Sequence, residues 1–136
     1  MFSATDITNP VNTFKLALIA STWTPANGID EVFADVTGEL VTGAGYTAGG
    51  GTLTGVTLTQ TAGVVKFTSA AFVWTSSGSF PAWRRGVVYA VGTLNGKINP
   101  IVGHFLGDVT PADVPITTTG NTLTVTPNAL GIMGAQ

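Results

Sequence analysis

Short apolar stretches, each ended by glycine, proline or asparagine, recur along this chain, and that spacing commits it to a fold of many short strands. Residues 14–20 form an apolar run bounded by turn formers, as expected of a buried strand. Further strands are predicted over residues 52–59, 64–68, 71–75, 86–92, 101–106, 114–118 and 122–126. Residues 52–59 alternate with one slip, because Leu53 and Gly55 share one face while Val56 and Leu58 take the other. A bulge at Gly55 would account for it. Between Gly43 and Gly51 the glycine density requires irregular backbone with at least one positive φ.

One segment has helical periodicity. Ile29, Val32, Phe33, Val36 and Leu40 fall on one face at a 3.6-residue period, and Asp30 and Glu31 would occupy the favourable first turn. A parallel sheet needs repeated crossover helices, and one helix cannot supply them. The expected fold is therefore all-β, an antiparallel β-sandwich or jelly roll with one short helix. Residues 1–13 are expected to form an extended N-terminal arm, and residues 14–136 a single domain.

Composition limits what such a domain can do. Charged residues make up 9% of the 136, against about 25% in an average globular chain. There is one histidine and no cysteine. Catalysis draws on several titratable groups converging on one pocket, so an enzyme is not expected, nor is a cofactor or a bound metal. The positive charges are Lys15, Lys66, Lys97, Arg84 and Arg85, too scattered to track phosphates, so no nucleic-acid partner is expected. The longest apolar run, residues 16–20, is far shorter than the roughly 20 residues of a spanning helix, so no membrane partner is expected either. Residues 1–12 do not read as a secretory signal.

The few motifs that suggest chemistry have simpler readings. Gly43, Gly45 and Gly49 lack both the spacing of a dinucleotide fingerprint and a following helix. His104, between Gly103 and Phe105, reads as a strand residue, either packed and hydrogen-bonded or at an interface. Asp35 and Glu39 would lie one helical turn apart on a solvated face, and Asp108 and Asp113 flank a proline turn. A neutral, threonine-rich surface is easily desolvated, which suits burial against another protein. The interaction candidates are Phe2 and Ile7 in the arm, Trp23 near a loop rim, and the Trp83-Arg84-Arg85 cluster, since Trp and Arg dominate interface hot spots.

The run Phe33-Ala-Asp-Val-Thr-Gly-Glu-Leu-Val41, then Gly45-Tyr-Thr-Ala-Gly-Gly50, Leu53-Thr-Gly-Val56, Phe72-Val-Trp-Thr75 and a later Arg-containing strand resembles small virion structural proteins of tailed bacteriophages. The resemblance covers residues 14–126, and the Gly-Tyr-Thr-Ala-Gly-Gly block is its most specific piece. In that pattern the late strand often runs Ala-Arg-Tyr-Ala-Val, whereas here it is Arg85-Gly-Val-Val-Tyr-Ala-Val91. The resemblance implies a structural role in the particle and no catalytic residues. The expectation is a capsid decoration, or cement, protein on the head exterior, made in the host cytoplasm. Its partners would be the major capsid protein and copies of itself, a homotrimer first and a dimer second. A tail or head-to-tail connector component is one alternative. A carbohydrate-binding module using exposed tryptophans is another.

Overall fold

The computed structural model describes residues 13–26, 28–108, 113–115, 117–126 and 133–135. These residues form an all-β fold whose strand pairs are all antiparallel. In chain order the strands are β1 (Thr13–Ile19), β2 (Gly51–Thr52), β3 (Thr57–Thr61), β4 (Val64–Thr68), β5 (Phe72–Thr75), β6 (Arg85–Val91), β7 (Thr93–Leu94), β8 (Lys97–Ile98), β9 (Ile101–Leu106), β10 (Thr122–Val125) and β11 (Met133–Ala135).

One layer of the sandwich is a four-stranded sheet in the order β2-β1-β6-β9. Facing it are a three-stranded sheet, β11-β4-β3, and the β10-β5 pair. Alternate residues of β1 and β6, namely Phe14, Leu16, Leu18, Val88 and Ala90, pack across the gap against Phe67 of β4 and Trp74 of β5. The intervening residues Ala17, Ile19, Val87 and Tyr89 are buried on the other face, under Trp23, Phe33 and Val36. A sheet covered on both sides has apolar residues at consecutive positions. That explains why residues 14–20 read as a continuous run. Each large side chain removed from water here contributes about 1.5–3 kcal/mol.

The predicted helix over residues 29–40 does not form. This stretch is irregular, with a turn at Ile29 and a single 3-10 turn at Phe33–Asp35. Its backbone groups bond to the sheet instead: Phe33 N–H donates to Asn99 O, Leu40 N–H to Leu18 O, and Ile101 N–H to Glu31 O. The β-branched Val32 and Val36 favour extended backbone, and Gly38, at φ +76°, could not continue a helix. The apolar residues that share a helical face in sequence are divided in space. Phe33 and Val36 cover one side of the sheet, Leu40 lies in the core on the other, and Ile29 is exposed.

The predicted strand over residues 52–59 is likewise divided, so Gly55 is not a bulge within one ladder. Residues 51–52 pair with β1, and residues 57–61 pair with β4 in the opposite layer. Gly55, at φ +59°, lies where the chain changes sheets. The β7-β8 hairpin went unread in the sequence although Asn95-Gly96 marks it, with φ of 50° and 76° in the two central turn positions. The described residues of 114–118 contribute isolated bridges, Trp83 to Val114 and Phe80 to Thr117, and no ladder.

The β3-β4 hairpin has the same kind of two-residue turn, but with Ala62 at φ 51° ahead of Gly63 at φ 80°. Alanine at positive φ is strained, whereas asparagine tolerates it. Ala62→Asn is expected to stabilise the domain by about 0.5–1 kcal/mol, read as a raised urea midpoint at unchanged slope. A lowered midpoint would contradict the turn assignment.

Candidate functional site

The Trp83-Arg84-Arg85 cluster, adjacent in sequence, is dispersed in the fold. Trp83 is a core residue, 3% exposed, in the cluster that also holds Phe80 and Val88. A Cβ on Gly107 would lie 2.6 Å from its ring. Arg84 pairs with Asp113 at 2.8 Å, a partly exposed contact worth about 0–1 kcal/mol. Arg85 opens β6 on the opposite face of the sheet from Val88, and its Nε is buried without a hydrogen-bond partner among the described residues. The three side chains do not form one surface.

Trp23 is not at a rim. It is 5% exposed and packs in the second core with Ala17, Ile19, Val87 and Tyr89. Trp74 is also 5% exposed, tilted against Phe72 with ring centroids 4.3 Å apart. With all three tryptophans internal, no Trp ring is available to stack on a sugar, which removes the feature on which the carbohydrate reading rested. Phe2 and Ile7 lie outside the described residues, as does the rest of the predicted arm before Thr13.

The densest polar arrangement was not anticipated. It runs along the outer edge of β1, where a short β2 leaves backbone groups to be satisfied piecemeal. Tyr46 Oη accepts the Leu18 N–H at 3.1 Å and donates to Glu39 Oε1 at 2.8 Å. The same carboxylate oxygen accepts the Gly49 N–H, and Tyr89 Oη donates to Gly49 O at 2.6 Å. Burial pushes the Tyr46 hydroxyl well above its ordinary pKa, and Glu39 adds to that shift. Burial and Glu39 raise Tyr89 in the same way. The network ties the glycine-rich loop to the sheet. The available clue was that Tyr46 and Tyr89 are the only tyrosines, and buried phenols need partners.

No family model, curated protein or solved structure matches this chain.

His104 is packed in β9, its ring meeting Trp23 edge-on at 5.7 Å. Burial holds its pKa below the usual value; Arg85 acts in the same direction and Asp30 in the opposite one. The carboxylates predicted to share a helical face have separate duties. Asp35 Oδ2 accepts the N–H groups of Val32 and Glu31, which hold its carboxyl below the usual range, while Glu39 belongs to the tyrosine network. Among the described residues there is no cluster of three metal-ligating side chains, and no helix is long and apolar enough to cross a membrane. What remains outside is a weakly charged surface with exposed Ile29 (74%), Val41 (74%) and Ile98 (68%).

Proposed function

We propose that this chain is a structural protein of a tailed-phage particle, a decoration or cement protein on the head exterior. It binds the major capsid protein and copies of itself, as a homotrimer by preference and as a dimer otherwise. The observation that carries this reading is the character of the exterior. The three tryptophans and both tyrosines are buried, while Ile29, Val41 and Ile98 stand exposed on a chain with five basic and seven acidic residues. Covering one such side chain yields about 1.5–3 kcal/mol. The motif resemblance to small virion proteins supports the same reading. Quantitative mass spectrometry of purified particles tests it. A copy number in small-integer ratio to the major capsid protein is expected; a few copies per particle would favour the tail or connector alternative, and absence would end the proposal.

In this reading residues 1–12 extend onto a neighbouring subunit, adding a strand through main-chain bonds and seating Phe2 or Ile7 in a pocket. Among the described residues the first core side chain is Phe14, and deletion of residues 1–12 is expected to leave the melting temperature unchanged to within a few degrees. Attachment to the particle under heat or high salt is expected to fall. Full occupancy by the truncated protein under the same challenge would remove the cementing role of the arm.

A further inference from the structure

His104 is the one side chain here whose ordinary pKa lies between pH 5 and 8. It is held where an added positive charge is costly. Its ring lies against buried Trp23, and in the β6-β9 ladder it stands opposite Val87. Arg85, two residues before Val87, projects from the same face of β6 and already has a buried Nε without a partner among the described residues. The charged groups acting on the imidazole are Arg85 from β6 and Asp30 from the segment that covers this face. Asp30, whose Oδ2 accepts the Ala26 N–H at 2.8 Å, acts in the opposite direction and is outweighed by burial and Arg85.

The cover is fastened at one end by the Ala20 N–H bond to Gly38 O at 2.8 Å, and along its edge by a few contacts. Phe33 stacks on Tyr89 with centroids 4.1 Å apart, and Val36 packs beside it. Two main-chain bonds join its edge to residues 99–101: Phe33 N–H to Asn99 O at 2.8 Å, and Ile101 N–H to Glu31 O at 3.0 Å. Lys97 adds an exposed ion pair to Glu31.

We propose that Trp23 and residues 29–38 form an acid-sensitive cover over the outer face of the four-stranded sheet, which protonation of His104 loosens. An imidazolium at this position is desolvated by Trp23 and repelled by Arg85. Lifting the cover admits water to the charge and separates Phe33 from Tyr89. The face then uncovered is apolar: Ala17, Ile19, Val87 and Tyr89. The sign follows from which state takes the proton first. With the covered histidine held below its ordinary pKa, the open form protonates near pH 6.5, so closure is complete above that pH and weakens as pH falls.

The test is residue-resolved amide exchange of the full chain at pH 7.5 and pH 5.0, corrected for the intrinsic pH dependence of exchange. Amides of the β1-β6 ladder serve as the internal reference. The Phe33 and Ile101 amides are expected to open about threefold or more at the lower pH, with the ladder unchanged. His104→Gln is expected to abolish that ratio and Arg85→Gln to reduce it. An unchanged ratio in the native chain, a ratio that persists in His104→Gln, or equal acceleration of the ladder amides would each overturn the proposal. If His104→Gln does not fold, Arg85→Gln decides, and an undiminished ratio there overturns it.

Discussion

Replacing Gly50 with alanine is expected to destabilise the domain by about 3 kcal/mol or more, because two penalties fall on one residue. Its φ is +78°, in the left-handed region, and its N–H closes a turn onto Thr47 O at 2.9 Å. A Cβ there would overlap the Leu16 carbonyl, lying 2.5 Å from its carbon and 2.8 Å from Ala17 Cα. Both atoms belong to the backbone of β1, the strand buried on both faces, so neither can move aside without disturbing the two cores. Gly63 provides the control. It has a similar φ, +80°, but nothing within 4 Å of the added carbon, so Gly63→Ala should show only the conformational strain, about 1–2 kcal/mol. Urea unfolding of the two variants separates these contributions. Equal losses would mean that close approach to β1 is not what position 50 requires.

Tyr46→Phe is expected to cost about 2–3 kcal/mol and to lower the melting temperature by about 4–12 °C. The ring, 1% exposed among Trp74 and Phe80, is retained, so packing loss is small. What is lost is the acceptor for the Leu18 N–H, at a point on the β1 edge where no strand is available to replace it. Glu39 also loses a donor, although it keeps the Gly49 N–H. Tyr89→Phe should cost less, since it removes one bond to a loop carbonyl. The same hydroxyls predict the alkaline limit. Both phenols are raised in the folded state, so the unfolded chain releases its phenolic protons first, near pH 10. Stability is therefore complete below about pH 10 and is lost as pH rises beyond it. Absorbance at 295 nm follows only these two tyrosines. If both titrated at the ordinary value while the chain remained folded, the buried network would be refuted.

Much of the local structure was legible in the sequence. β4 and β9 have the predicted boundaries, and β1, β5, β6 and β10 lie within a residue or so of theirs. In each, β-branched and aromatic residues alternate or cluster between turn formers, and that signal is local. The glycine-rich segment behaves as expected as well, with positive φ at Gly45, Gly49 and Gly50. Residues 29–40 misled because a 3.6-residue apolar period can arise when successive side chains serve two cores. Phe33 stacks on Tyr89 outside the sheet while Leu40 packs inside it. The tryptophans misled for a related reason. A loop position such as Trp23 looks exposed until the chain folds back over the sheet.

The sequence by itself determined that this protein is all-β, roughly where its strands begin and end, and where its backbone must turn, because alternation, β-branching and glycine act over a few residues. Only the tertiary structure decided which strands share a sheet, and that residues 51–52 and 57–61 belong to opposite layers. It also decided that Tyr46 completes an edge of β1, that Trp23 and Trp83 are buried, and that His104 packs against Trp23. These outcomes depend on backbone groups finding partners tens of residues away. A hydrogen bond such as Leu18 to Tyr46 leaves no periodic trace in the chain, since it is selected by the cost of leaving a buried N–H unpaired once the layers have closed.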